Sequence, residues 1–199
     1  MLVLDHLAVG CETLSQGVDW VERQLGVALQ PGGQHPRYGT HNMLLGLCDG
    51  LYLELIAINP DAQPQETPRW FGLDHFSGPP RLANWICRVD DLDAALRSAP
   101  PEVGKARDMA RGDLRWQITV PDDGSLPFGG AYPTLMAWGA GVPHPASRLP
   151  DSGCRLTGLE VWHPDAPMVP LDDPRVSFCT GPAALRATFD TPHGPRVLS

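Results

Sequence analysis

Two apolar segments of this sequence each carry one side chain that could do chemistry. Residues 2–9 are apolar almost throughout but include His6, and residues 51–57 include Glu54 in the same manner. Burying an unpaired carboxylate costs several kcal/mol, so an acid inside a buried strand needs a partner. We therefore predict that His6 and Glu54 meet at the floor of one polar pocket.

The types of these residues indicate either a metal site or a hydrogen-bonded pair. A histidine and a glutamate with open coordination positions suit a divalent ion such as Zn, Ni, Mn or Fe. Two protein ligands seldom hold a metal tightly, and His41 is the nearest candidate for a third because it begins the strand expected beside Glu54. With a chelated substrate, Glu54 or His41 would move a proton. The alternatives are a metal-free, buried His6–Glu54 pair and a His41 that only caps a strand.

Alternation along a strand assigns each side chain to one face of the sheet. The leucines of the second segment share a face that would pack on helices, whereas Tyr52 and Glu54 share the other face. His6 shares its face with Leu4 and Ala8, whose modest size leaves room for a ligand. Tyr52 is therefore a further candidate for a contact to a substrate.

Later parts of the chain offer additional candidates for substrate binding. Arg115 and Gln117 fall on one face of the strand predicted over residues 114–120. If that face lines the cavity, the planar guanidinium of Arg115 could bind an anionic substrate group, and otherwise the face is exposed to solvent. Asn84 could form a hydrogen bond with a substrate, and the aromatic residues 70–71 could form part of a lid.

The elements that must position these residues begin with a β-α-β-β-β unit. After the first strand, Thr13 and Gln16 have the spacing of a capping box, an apolar stripe follows at helical spacing, and Gly26 ends the helix. Three strands, the last two joined by an Asp-Gly turn, complete a first module over residues 1–60. A proline-rich linker or lid covers residues 61–80, and the same order then restarts about 80 residues after its first start.

The repeat continues to the end of the chain. The second module spans residues 81–140, and a partial third module, mostly β, spans residues 152–199. In the third module a proline-rich segment, residues 164–173, replaces a proper helix. The predicted fold class is α+β, built from repeated β-α-β-β-β modules, with the partial third module extending or covering a sheet.

Composition argues against several classes of function. The formal net charge of −8 disfavours a nucleic-acid partner, which would require a basic face. There is no run of about 18 apolar residues, so no membrane span is predicted. The five cysteines are scattered and odd in number, which indicates neither a disulfide framework nor a CxxC site. Because the first residues lack the basic region of a signal peptide, we expect a cytoplasmic protein.

Two groups of short stretches carry a family resemblance through their order and spacing. The first group is Leu4-Asp5-His6, Gly39-Thr40-His41-Asn42 and Tyr52-Leu53-Glu54-Leu55-Ile56. The second group is Arg81-Leu82-Ala83-Asn84-Trp85, Leu126-Pro127-Phe128, Trp138 and His144-Pro145-Ala146. Over most of the chain, this order resembles the glyoxalase-like domain family of the vicinal oxygen chelate superfamily, to which glyoxalase I, extradiol dioxygenases and bleomycin-binding proteins belong.

The resemblance implies that paired modules curl into an open barrel around a cavity. It also implies that metal-binding members take four ligands from the first and last strands of two modules. Here the first module supplies His6 and Glu54, whereas Asn84 stands near the matching position of the second module, and the closing strand, residues 135–138, has no carboxylate.

Two functions are therefore open. One is a metal-dependent lyase or isomerase that acts on a small oxygenated substrate, which the family resemblance favours. The other is a metal-free protein that binds or sequesters a small molecule, as bleomycin-resistance proteins do, which the missing second-module ligands favour. Modules of this kind often complete barrels across subunits, so a homodimer is a further expectation; the alternative is that the third module caps the sheet edge and leaves a monomer.

Overall fold

The structure is a computed structural model that describes residues 1–64, 68–165 and 169–199. The first module consists of β1 (Val3–Gly10), α1 (Leu14–Leu25), β2 (Gln30–His35), β3 (Thr40–Gly46) and β4 (Tyr52–Ile58). The second consists of β5 (Arg81–Arg88), α2 (Leu92–Leu96), β6 (Lys105–Arg111), β7 (Leu114–Val120) and β8 (Thr134–Trp138). The third unit consists of β9 (Arg155–Trp162), β10 (Val176–Cys179), β11 (Ala184–Thr191) and β12 (Gly194–Leu198).

Helix α1 begins and ends at the residues that the sequence predicts. Thr13 accepts a hydrogen bond from the backbone N–H of Gln16 at 3.3 Å, and Gly26 ends α1 with φ 76°. Glycine adopts this left-handed conformation without the steric penalty of a Cβ atom. Asp91 caps α2 by accepting from the backbone N–H of Ala94 at 2.8 Å. None of the helices in the described residues has the length and apolarity needed to cross a bilayer.

The strands of the first two modules form one mixed sheet in the order β2-β3-β4-β1-β5-β8-β7-β6. The modules meet at β1 and β5, which pair antiparallel, while the first and last strands of each module pair parallel. The sheet curls until its two edge strands, β2 and β6, come into contact. Its concave face therefore surrounds a cavity lined by both modules, which confirms the predicted fold class.

The third unit packs on the convex face of this sheet. Its strands form a second sheet in the order β10-β9-β11-β12, in which β11 contacts β5 and β12 contacts α1. Between the convex face, α1 and the third unit lies an apolar layer, which we call the outer core. Trp85 of β5 is fully buried in the outer core and donates its indole N–H to the backbone oxygen of Gly130 at 3.0 Å. The described residues between β9 and β10 form no helix, as the prolines predict. The third unit thus covers the outside of the barrel.

Candidate functional site

A β-bulge in β1 determines how the first strand presents its polar residues. Opposite β5, Leu4 pairs with Cys87 and His6 pairs with Ile86, so Asp5 is the extra residue on β1. A bulge interrupts strict alternation and redirects a side chain. Leu4 consequently packs in the outer core instead of sharing the face of His6, as alternation predicted. Asp5 lies beside His6, with its Oδ1 atom 2.7 Å from Nδ1 of the imidazole.

His6 and Glu54 lie together as a buried pair. Nε2 of His6 is 3.6 Å from Oε2 of Glu54, and the amide of Asn42 donates to Oε1 of Glu54 at 2.6 Å. Burial alone would lower the pKa of His6, but the hydrogen bonds and charges of Asp5 and Glu54 raise that pKa to about 9. Burial alone would raise the pKa of Glu54, but His6, His35 and Asn42 lower it to about 2. At neutral pH the pair is therefore an imidazolium and a carboxylate.

Asp5 is the fully buried anchor of His6. Its second oxygen accepts hydrogen bonds from Nε2 of His144 at 2.9 Å and from the indole of Trp138 at 3.1 Å, and Arg88 lies 3.4 Å away. Burial alone would raise the pKa of Asp5, but these histidines hold the pKa well below its usual range. Because the carboxylate only accepts, Nδ1 of His6 carries a hydrogen, and Asp5 sets the orientation of the ring.

A second polar network joins the two edges of the sheet. Arg111, at the end of β6, places Nη1 3.0 Å from Nε2 of His35 and 3.2 Å from Oδ1 of Asn42. A guanidinium only donates, so His35 accepts at Nε2 and carries its hydrogen on Nδ1, which lies 3.1 Å from the hydroxyl of Thr40. Burial lowers the pKa of His35 to about 4, in agreement with a neutral imidazole. The backbone N–H of Gly33 donates to the same Asn42 oxygen at 2.7 Å.

The cavity between these networks has a polar wall from the first module and a largely apolar wall from the second. Its volume is about 30 Å³, enough for water-sized groups. The residues that line it are His6, His35, Asn42, Leu44, Tyr52, Glu54, Trp70, Phe71, Arg111, Trp116, Ile118, Met136, Trp138 and Pro145. The arrangement can hydrogen-bond one end of a small molecule and pack against the other.

Trp70 and Phe71 cover the cavity from the linker that joins the modules. Their rings stack on each other with centroids 5.0 Å apart, and Trp70 also stacks on Tyr38 at 4.8 Å. The indole of Trp70 donates to the hydroxyl of Thr40 at 3.2 Å. Phe71 has φ 58°, a conformation that is unfavourable for any residue with a Cβ atom. The cover is therefore closely packed, since Trp70 and Phe71 are both buried, although Phe71 has a strained backbone conformation.

The structure places Tyr52 at the site and His41 away from it. Tyr52 stacks on the ring of His6, with centroids 4.3 Å apart, and burial raises the pKa of its hydroxyl well above the usual range. His41 pairs with Ala57, whose side chain lies in the outer core, so His41 projects from the convex face of β3. Adjacent strand residues face opposite sides, and Asn42 occupies the position that faces the cavity. His41 is therefore neither a third ligand nor a proton carrier at this site.

The substrate contacts predicted in the second module do not line the cavity. Asn84 is buried, but its amide bonds to the hydroxyl of Thr134 and to the backbone N–H of Trp85, both at 2.9 Å. Arg115 and Gln117 are exposed on the other face of β7, where they line an open groove of about 520 Å³. Arg115 donates to two backbone oxygens, and Gln117 donates to an exposed carboxylate. Arg115 and Gln117 therefore lie on a face of the sheet that is exposed to solvent, which was the alternative considered from the sequence.

Strand register identifies the second-module counterpart of His6. His6 lies opposite Tyr52 in the β1–β4 pair, and Ile86 lies opposite Thr134 in the β5–β8 pair. His6 and Ile86 also face each other across the junction of the modules. The counterpart of His6 is therefore Ile86. The spacing in the sequence indicated Asn84 for this position, and the strand register corrects that prediction.

The donor set does not fit a four-ligand metal site. By the same register, the counterpart of Glu54 is Met136 on β8, so the second module supplies no oxygen, nitrogen or thiolate ligand at either position. His41, the predicted third ligand, faces the opposite side of the sheet. Over residues 1–64, 68–165 and 169–199, no three His, Cys, Asp or Glu side chains converge as metal ligands. A divalent ion at His6 and Glu54 would have to compete with the ion pair that these two residues already form.

Comparisons with known proteins agree with this fold. A sequence profile described as a glyoxalase-like domain matches residues 4–170, whereas no curated protein sequence matches the chain. A hypothetical protein from Staphylococcus aureus is similar in structure, with a TM-score of 0.58 and 15% identity over 82% of this chain and 70% of that one. Methylmalonyl-CoA epimerase from Mycobacterium tuberculosis has a TM-score of 0.43 and 22% identity over 68% and 85% of the two chains. Because the profile covers most of the sequence, the chain belongs to the glyoxalase-like domain family.

Proposed function

We propose that this protein binds a small amphipathic molecule in its cavity without the help of a metal ion. The observation that carries the proposal is the division of the cavity walls. His6, Asn42 and Glu54 offer hydrogen-bonding groups on one side, and Ile118 and Met136 offer hydrocarbon on the other. Apolar cavities with a few placed polar groups are typical of small-molecule sites. The oxygenated end of the ligand would lie against the polar wall.

Binding in this way requires the cover to move outward. The cavity has room for water-sized groups only, so a larger ligand must displace Trp70 and Phe71. Displacement breaks the side-chain hydrogen bond of Trp70 to Thr40 and the stacking of Trp70 on Tyr38. Because Trp70, Trp116 and Trp138 all line the cavity, their fluorescence would report the event.

Metal content tests the proposal against the metal-dependent alternative. Protein produced in medium rich in Zn, Ni, Mn and Fe should contain well under one equivalent of metal, since His6 and Glu54 form an incomplete donor set. Chelator treatment should leave the midpoint of thermal unfolding unchanged. Elemental analysis of the wild type, His6→Ala, Glu54→Ala and His41→Ala checks this. One equivalent that is lost in the first two variants but retained in His41→Ala would contradict the proposal, because His41 lies outside the cavity.

A lyase or isomerase is the second candidate function. The observation that favours it is that a carboxylate, Glu54, and an imidazolium, His6, face one cavity as a base and an acid. A general base works best with a pKa near the operating pH, and the pKa of about 2 makes Glu54 a weak proton acceptor. The ion pair therefore favours recognition over proton transfer. NMR can follow the exchange of the methyl protons of pyruvate in D2O. Exchange that the wild type catalyses and Glu54→Gln does not would favour the lyase or isomerase over the binding protein.

A homodimer and a cytoplasmic location stay predictions. Both walls of the cavity come from one chain, so the site does not require a second copy. Sedimentation velocity over a range of protein concentrations measures the oligomeric state directly. If the protein sediments as a single species with the mass of one chain, the homodimer prediction is wrong.

A further inference from the structure

Arg111 reaches the cavity from the far edge of the sheet. It is the last residue of β6, and its guanidinium crosses to β2 and β3, where it contacts His35 and Asn42. Gly33 on β2 leaves room for the crossing, since a Cβ atom there would lie 2.8 Å from Cδ of Arg111. The local sequence of β2 thus accommodates the arginine stem, and the guanidinium lines the cavity.

Both acceptors of Arg111 are neutral groups. His35 offers the lone pair of an unprotonated ring nitrogen, and Asn42 offers an amide oxygen. Both bonds use the same nitrogen, Nη1, of a group that has five N–H donors. Among the residues that the structure describes, no Asp or Glu forms an ion pair with Arg111. The guanidinium therefore retains both a charge and free donors.

Glu54 forms no direct ion pair with Arg111, because the amide of Asn42 stands between them. Asn42 accepts from Arg111 through Oδ1 and donates to Glu54 through Nδ2. The other oxygen of Glu54 faces His6. His6 lies between the carboxylates of Asp5 and Glu54, so the guanidinium of Arg111 reaches Glu54 only through Asn42 and has no direct ion pair at the polar wall.

We propose that the ligand of this cavity is a small monocarboxylic acid with a flat apolar body, whose carboxylate binds the guanidinium of Arg111. The proposal rests on the binding function proposed above and names the chemical class of its ligand. The planar fork of a guanidinium matches a carboxylate through two parallel hydrogen bonds. With the carboxylate at Arg111, the apolar body lies against Trp116 and Ile118, which line the same cavity.

Benzoate and benzamide are matched probes, because they have nearly the same shape and differ in charge. Each is titrated into the full-length wild type, Arg111→Gln and Arg115→Gln while tryptophan fluorescence is recorded. Wild type and Arg115→Gln should bind benzoate about tenfold or more tightly than benzamide, since a hydrogen bond to a charged group has that effect. Arg111→Gln should lose the preference. Arg115 is the matched control because it lies on the outer groove.

The outcomes separate this proposal from the binding function on which it rests. Equal affinity of the wild type for both probes overturns the carboxylate assignment and leaves the binding cavity in place. A response to neither probe overturns both. Retention of the preference in Arg111→Gln, or displacement of benzoate by inorganic phosphate at equal concentration, also overturns the assignment. If Arg111→Gln fails to fold, the carboxylate assignment is still tested in two ways. One is the affinity of the wild type for benzoate against benzamide, and the other is Arg111→Lys, which should retain part of the preference for benzoate.

Discussion

Replacement of Asp5 by alanine should lower the free energy of unfolding by about 3–5 kcal/mol, the usual effect of removing one partner from a buried ion pair. The Asp5 carboxylate has no exposed surface and accepts from His6 at 2.7 Å, His144 at 2.9 Å and Trp138 at 3.1 Å. Without it, the imidazolium of His6 faces only Glu54, and the indole N–H of the half-buried Trp138 loses its acceptor. Urea unfolding followed by circular dichroism measures the loss.

Two further variants make this prediction specific. Asp5→Asn keeps the shape of the side chain but places an NH2 group against a donor, so its stability should fall between those of the wild type and Asp5→Ala. Asp113→Ala removes an exposed carboxylate that pairs with Arg148, and it should hardly move the urea midpoint because water screens such a pair. An Asp5→Ala protein that unfolds at the same urea concentration as Asp113→Ala would refute the role of Asp5 as an anchor.

The protein should be most stable near pH 6.5, because two buried histidines shift in opposite directions. The pKa of His6 rises from 6.5 to about 9 in the folded chain, so above pH 6.5 the unfolded chain releases a proton that the folded chain keeps. Stability is then lost as pH rises through 9. The pKa of His35 falls to about 4, so below pH 6.5 the unfolded chain binds a proton that the folded chain does not. Each slope reaches up to about 1.4 kcal/mol per pH unit.

Variants of the two histidines should separate these slopes. His6→Gln should flatten the profile between pH 6.5 and 9, and His35→Gln should flatten it between about pH 4.5 and 6.5. Below that range the lowered pKa of Glu54, about 2, adds its own loss of stability with acid. His193→Gln, an exposed control, should keep both slopes. Free energies of unfolding measured in urea from pH 4.5 to 9 test this, and a wild-type maximum at pH 9 would contradict it.

Local patterns were sufficient to predict the elements and one face of the site. The spacing of Thr13, Gln16 and Gly26 predicted α1, and the structure confirms both of its ends. Alternation assigned Tyr52 and Glu54 to the side of β4 away from the leucines, and both line the cavity. Such predictions succeed because the direction of a side chain in a strand depends on its immediate backbone.

Alternation assigned a side chain to the wrong face of the sheet where a bulge adds one residue to a strand. Leu4 has the sequence position of a neighbour on the face of His6, but the bulge at Asp5 turns it into the outer core. His41 and Asn42 are adjacent polar residues, and nothing in their order indicates which one faces inward. The pairing of β3 with β4 decides that point in favour of Asn42. A one-residue shift in register therefore changes the membership of the site.

The sequence by itself determined the order of the modules, the family and the presence of a histidine and a glutamate in buried strands. Only the tertiary structure decided which polar groups join them, namely Asp5, Asn42 and Arg111. The physical reason is the distance along the chain: Arg111 contacts Asn42 across 69 residues because the sheet curls until its edges meet. Arg115, four residues later, has a similar local pattern but lies outside the cavity. Periodicity describes local direction, whereas the curl of the whole sheet determines which side chains meet.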